Sequence, residues 1–224
     1  GDYSQLEFRV AAFLSQDKQA LEDVKNKIDV HSYTADIIGV SRQDAKAHTF
    51  KPLYGGTSGT EAERRYYTAF LEKYSGVAEW QQRLCNEALV RKKVTLPSTR
   101  EYMFPNVRKY PSGGYSNSTQ IKNYPVQGFA TADLLPISLV MLHKKVKESR
   151  IKSLICNTVH DSIVMDVHPD EEETCIELMK NAMLSLKDEC SLRFGVEYNM
   201  PVGIELKIGS NWSNLTEVGT YERT

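Results

Sequence analysis

The sequence has no close cysteine pair, no long apolar run, no low-complexity tract and no initiating methionine. Its four cysteines, Cys85, Cys156, Cys175 and Cys190, never approach C-x-x-C spacing. That excludes a zinc ribbon or dithiol redox site and leaves free thiols in a reducing cytosol as the plain reading. No apolar stretch approaches the about 18 residues of a membrane span, and the N-terminus has neither a basic nor an apolar leader region, so a soluble, unsecreted, cytoplasmic chain is expected. The opening Gly1-Asp2-Tyr3-Ser4 leaves three origins open: an engineering remnant, a cleaved product, or the second half of a divided polypeptide. Excess charge of one sign is also missing, with 28 Lys+Arg against 29 Asp+Glu.

What is present is an ordinary globular composition of 224 residues, 41% apolar and 25% charged, enough for one large domain or two small ones. The near-neutral total hides an asymmetry. Residues 1–160 carry a net +7 and residues 161–224 a net −8, so a basic body able to bind a polyanion precedes an acidic segment.

Apolar spacing predicts a short helix from Gln5 to Leu14 and a second opened by Asp29 as a cap and running through Ile38. Ser41 can cap a helix from Arg42 toward Tyr54, and Thr60 one from Glu61 to about Tyr74. A further helix covers about Val77 to Val90. Val94 to Leu96 and Glu101 to Phe104 read as a β-hairpin. A long helix is expected from about Asn117 to Lys147, entered through an irregular Asn123-Tyr124-Pro125. Leu154 to Val159 and Ile163 to Val167 form a hairpin joined by His160-Asp161-Ser162. One acid-fronted helix from Pro169 to about Leu192 and a closing strand from Val202 to Ile208 complete the chain. Helices first, then strands with helices, indicate an α+β class.

Three groups of residues carry chemistry. Asp2 and Asp161 could share a metal site, because two carboxylates can hold two Mg²⁺ ions about 3.5–4 Å apart for an in-line phosphoryl displacement; the alternative is two solvated loop aspartates. Arg42, Lys46, Phe50 and Tyr54 are spaced four apart, so on one helix they wind slowly as a single stripe. Cations followed by rings suit a nucleoside triphosphate, while an amphipathic helix with snorkelling cations is the plain reading. Pro52 should weaken or kink the last turn. Asn123 and Gln127 supply amides that can read minor-groove acceptors or serve as turn chemistry. Two other signals fail. Gly55 to Thr60 lacks the lysine of a P-loop. His160, Asp161 and Ser162 are adjacent in extended structure and cannot form a triad relay.

Across nearly its whole length the sequence resembles family A (Pol I-like) DNA polymerases. Asp2 to Val10 resembles motif A, Arg42 to Gly55 motif B, and Val159-His160-Asp161-Ser162 motif C. Asn123 to Gly128 is similar to the segment near the primer terminus, and Gly209-Ser210-Asn211-Trp212 to the family's C-terminal pattern.

The resemblance implies a DNA-directed DNA polymerase fragment: palm over 1–14, helical fingers over 15–113, and palm over 114–224, whose small antiparallel sheet combines the motif C hairpin with the C-terminal strand and is backed by helices. It implies two Mg²⁺ ions held by Asp2, Asp161 and the Tyr3 carbonyl. Arg42 and Lys46 would grip the dNTP phosphates, with Lys46 also protonating pyrophosphate. Phe50 would lie on the sugar, Tyr54 near the base, and Glu7 against the 2′ position. Asn123, Gln127 and His160 would contact primer–template DNA. Departures are Ser162 for the usual motif C Glu, Lys51-Pro52 after the motif B aromatic, which looks phage-type, and Thr119 for an arginine. The resemblance further leads to the expectation that the thumb and N-terminal palm are missing and that the strand carrying Asp2 is reduced to Gly1. Asp2 is therefore expected on a free terminus beside an unpaired sheet edge, and a partner chain is expected to supply the missing parts. A metal-dependent phosphohydrolase or nuclease, which needs no Arg42 to Tyr54 stripe, and a non-catalytic structural half are the rival readings.

Overall fold

The computed structural model describes residues 1–56 and 58–224; Thr57, within the predicted Gly55 to Thr60 loop, lies outside the described residues. The first elements are β1 (Asp2–Tyr3), α1 (Leu6–Ser15), α2 (Lys18–Lys25), α3 (Val30–Ile38), α4 (Arg42–Thr49) and a 3₁₀ turn, Pro52–Tyr54. Next come α5 (Glu61–Lys73), α6 (Ser75–Arg91), β2 (Lys93–Thr95), β3 (Glu101–Met103) and α7 (Ser118–Gln127). A π-helical segment, Gly128–Leu134, leads into α8 (Leu135–Ser149), β4 (Leu154–Val159) and β5 (Ser162–Asp166). A 3₁₀ turn, Pro169–Glu171, precedes α9 (Glu172–Leu184), α10 (Leu186–Phe194), β6 (Val202–Ile208) and β7 (Thr216–Arg223). The class is α+β, and the chain divides into two compact units, Gly1–Leu6 with Gly128–Thr224, and Glu7–Gln127.

The first unit is built on an antiparallel sheet in the order β4-β5-β1-β6-β7. Alternation along β6 buries Val202, Ile204 and Leu206 while Lys207 is exposed. On the same covered face, Tyr3 from β1 and Ile163 from β5 are buried. Tyr3 is held by helices behind the sheet: Ser138 Oγ of α8 donates to its phenol oxygen (2.5 Å), and the phenol donates to Met183 O of α9 (2.8 Å). Burial pushes the Tyr3 pKa upward, so the phenol stays protonated as this donor.

Several expectations are corrected here. Asp2 does not hang on a free terminus beside an unpaired edge: β1 lies mid-sheet, with Asp2 opposite both Ser162 and Glu205. Val202–Ile208 is not the closing strand, because β7 pairs along all of β6. The expected helix from Pro169 is a 3₁₀ turn and two helices, interrupted at Ser185, whose hydroxyl donates back to Ala182 O (2.8 Å). Asn123-Tyr124-Pro125 is helical, and the irregularity falls later, in the π-helical segment. The helical run Ser118–Ser149 is long and apolar enough to pass for a membrane span, but 61% of its most apolar window is buried in the protein. Ile121, Val126, Phe129, Leu134 and Leu142 are core residues.

In the second unit local capping chemistry sets the helix starts. Asp29 accepts from His31 N, Ser41 from Asp44 N, and Thr60 forms a reciprocal capping box with Glu63. Helix α2 was not expected; Asp17 caps it through Ala20 N (2.7 Å) and reaches Gly76 N (2.6 Å) and Val77 N (3.3 Å) at the start of α6. A Cβ on Gly76 would meet Asp17 Oδ2 at 2.8 Å, so this close approach requires glycine. Helix α4 ends at Thr49 instead of running to Tyr54. Pro52 has no N–H for an interior helical bond, and the chain tightens into a 3₁₀ turn closed by Gly55 N to Pro52 O (3.1 Å).

Candidate active site

The candidate residues fall in both units. In the first, the β4–β5 hairpin turns through two residues, His160 and Asp161, since Val159 and Ser162 are already cross-strand partners. His160 takes a left-handed φ of 53° at the first turn position and is exposed. Tyr3 N donates to Asp161 O (3.2 Å), and Gly1 and Ile163 exchange two backbone hydrogen bonds (2.8 and 2.9 Å). This ladder seats the Asp2 segment beside the Asp161 turn, which lies far along the chain. The Asp2 side chain is exposed and Asp161 is half-buried. Ser162, where an auxiliary acid would stand, donates its hydroxyl to Val159 O (2.8 Å) and so closes its own turn.

Asp2, Asp161 and the Tyr3 carbonyl are hard oxygen donors, the chemistry that Mg²⁺ prefers. Among the described residues no group of three or more His, Cys, Asp or Glu side chains converges as a metal cage. Sites for Mg²⁺ commonly use only one or two carboxylates with water and substrate phosphates, so the donor set fits that ion.

In the second unit Arg42 is the first residue of α4, Lys46 follows one turn later, Phe50 is the C-cap and Tyr54 ends the 3₁₀ turn. The four therefore do not form one helical stripe. Lys46 is exposed, and the other three each have their own environment. Tyr54 donates its phenol to the Glu7 carboxylate on α1. The Phe50 ring meets His31 edge-on with centroids 5.3 Å apart. Arg42 Nε bonds Asp29 Oδ2 at 2.5 Å. On α7, Asn123 is half-buried and Gln127 exposed.

Sequence reasoning took Asp29 for a helix cap alone and gave His31 no role. Both lie against motif B residues. Asp29 pays the cost of partial burial, but hydrogen bonds from Arg42, Ser32 and His31 N outweigh it and hold its carboxyl down at about 2. Burial first, and then the Arg42 and Lys46 charges, lower the His31 pKa against the pull of Asp29. His31 Nδ1 is tied to Thr49 Oγ1 (3.0 Å). The Asp-x-His spacing at a helix start was the available signal, but it reads equally as plain capping.

The architecture is thus a two-unit α+β chain with one aspartate on a central strand and another on an adjoining hairpin turn. The sequence profile of DNA polymerase family A matches residues 1–214, and the chain belongs to that family. Among similar proteins, DNA polymerase I of Lactococcus lactis subsp. cremoris is 30% identical over 94% of this chain and 25% of its own length. DNA polymerase I of Caldicellulosiruptor bescii is 26% identical over 94% of this chain and 26% of its own length. The chain thus spans about a quarter of the length of these relatives. A solved structure, the POL domain of Pol1 from M. smegmatis in complex with DNA primer-template and dNTP, superposes with a TM-score of 0.70 at 22% identity. That likeness covers 83% of this chain and 36% of the other, and concerns the fold. Strand β7 lies beyond the family match.

Proposed function

We propose that this chain carries the fingers (15–113) and part of the palm (1–14 and 114–224) of a DNA-directed DNA polymerase, a cytoplasmic enzyme transferring a nucleotide from dNTP to a primer 3′-hydroxyl. The observation that supports this most directly is the ladder joining the Asp2 strand to the Asp161 turn, Tyr3 N to Asp161 O at 3.2 Å.

In this reading Asp2, Asp161 and the Tyr3 carbonyl hold two Mg²⁺ ions, which when bound supply Lewis-acid stabilisation of the attacking and leaving oxygens. Arg42 and Lys46 grip the triphosphate, and Lys46 delivers a proton to the departing pyrophosphate. Phe50 packs on the deoxyribose and Tyr54 lies near the base. Glu7, oriented by Tyr54, crowds the 2′ position and excludes ribonucleotides. Asn123, Gln127 and His160 contact the primer–template, the amides through minor-groove acceptors. The Lys51-Pro52 departure after the motif B aromatic is read as a phage-type variant.

A partner chain supplies the thumb and the rest of the palm. Primer extension with dNTPs is the test: the reassembled enzyme extends a primer and loses extension on Asp161→Ala. Template-independent phosphodiester hydrolysis with no dNTP binding would instead favour a nuclease. Full extension by the chain alone would remove the need for a partner, and native mass spectrometry would show its size.

A further inference from the structure

We infer that Asp29 is a positioning residue that aims the Arg42 guanidinium at the phosphate it binds, an inference resting on the nucleotide-binding reading of Arg42. The Asp29 carboxylate is fixed by three donors. Oδ1 accepts from His31 N (3.0 Å), while Oδ2 accepts from Ser32 Oγ (2.8 Å) and Arg42 Nε (2.5 Å). Two of these donors belong to the first turn of α3, so the carboxylate has little freedom of its own.

The helix that carries it is in turn locked to α4. His31 Nδ1 pairs with Thr49 Oγ1 (3.0 Å), Thr49 Oγ1 donates to Thr34 Oγ1 (3.0 Å), and Tyr66 OH donates to Thr49 O (2.9 Å). Asp29 is thereby a rigid post beside the start of α4.

The edge of the guanidinium that Asp29 takes decides the consequence. A carboxylate on Nε leaves the Nη1–Nη2 edge, the outer side of the fork, for two oxygens of a phosphate. The Arg42 side chain is 52% exposed, so that edge is accessible to a ligand. An untethered arginine at such a position samples many rotamers and must be ordered when the anion arrives; the tether does much of that ordering in advance. The opposite effect is also physically defined: a carboxylate so near the phosphate repels it, and if repulsion dominated, removing Asp29 would tighten binding.

The experiment titrates dTTP with Mg²⁺ into the full chain by calorimetry, with thermal unfolding measured in parallel. Asp29→Ser keeps a side-chain oxygen to cap His31 N while removing the carboxylate. The expected result is a Kd raised about fivefold, the ordering cost of one long side chain, with a lowered unfolding midpoint that still leaves the chain folded at the titration temperature. In an Arg42→Lys background, which has no Nε edge, the same substitution should change Kd less than about twofold. An unchanged or lower Kd for Asp29→Ser, or an equal loss in the Arg42→Lys background, overturns the positioning role while the nucleotide reading stands. If Arg42→Ala leaves Kd unchanged, the nucleotide reading of Arg42 fails and the inference falls with it. Should Asp29→Ser not fold, Asp29→Thr, which likewise keeps a capping oxygen and lacks the carboxylate, is scored by the same outcomes.

Discussion

Tyr54 donates its phenolic hydrogen to the carboxylate of Glu7, joining side chains 47 positions apart. If Glu7 guards the 2′ position, its aim depends on this bond. Tyr54→Phe should lower the dNTP-over-rNTP ratio of kcat/KM about tenfold, and Glu7→Ala should lower it further, measured by single-nucleotide insertion in the reassembled enzyme. An unchanged ratio in Glu7→Ala would remove that residue from sugar selection.

Asp161→Asn keeps the size of the turn residue and its backbone contact with Tyr3 N but removes a charged oxygen donor. Extension should fall by at least about a thousandfold while the far-ultraviolet circular dichroism spectrum is retained. Loss of extension together with loss of the spectrum would mean that the turn, not the charge, had failed.

Tyr3→Phe leaves Ser138 Oγ and Met183 O facing an apolar ring edge in the core of the first unit. Urea denaturation should show a loss of about 1–3 kcal/mol, the cost of stranding buried polar groups.

Asp17→Ala removes the cap of α2 together with the acceptor for two backbone donors of α6. A destabilisation of about 2–4 kcal/mol is expected, because a buried cap and buried N–H groups are lost at once. Asp17→Asn, which keeps an acceptor oxygen, should recover part of it.

Acid stability should carry the mark of Asp29. Its folded pKa of about 2 lies below the ordinary aspartate value of 3.8, so folding is favoured by its charged form. That contribution is complete above the unfolded pKa and is lost as pH falls from there through the folded value. Asp29→Asn should therefore flatten the stability profile between about pH 4 and pH 2, read by urea unfolding at fixed pH, and the change should be modest because the carboxylate is partly solvated.

What could be read from the sequence was what is decided locally. Asp29, Ser41 and Thr60 announce helix starts because a cap needs only the next few residues, whereas Pro52 marked only a weakened last turn of a helix that in fact stops at Thr49. Strand β1 was not legible, since two residues carry no period and both neighbours lie far along the chain. Strand β7 is mostly polar and exposed, so it lacks the apolar alternation that marks a strand. The motif residues themselves could be found from spacing, but their neighbours could not. That Glu7 meets Tyr54, or Asp29 meets Arg42, follows from how α1, α3 and α4 pack and not from any interval in the sequence.

The place of β1 also bears on the order in which the molecule assembles. Gly1 bonds to Ile163, 162 positions away, and Tyr3 pairs with Ile204. During synthesis the Asp2 segment leaves the ribosome before either of its neighbours exists, and it must wait, without a partner, until β5 and β6 have emerged. Closing so long a loop is slow relative to forming the capped helices in between. The strand bearing the first aspartate should thus be among the last pieces seated, and any stall in translation before β6 would leave helices formed and the sheet open.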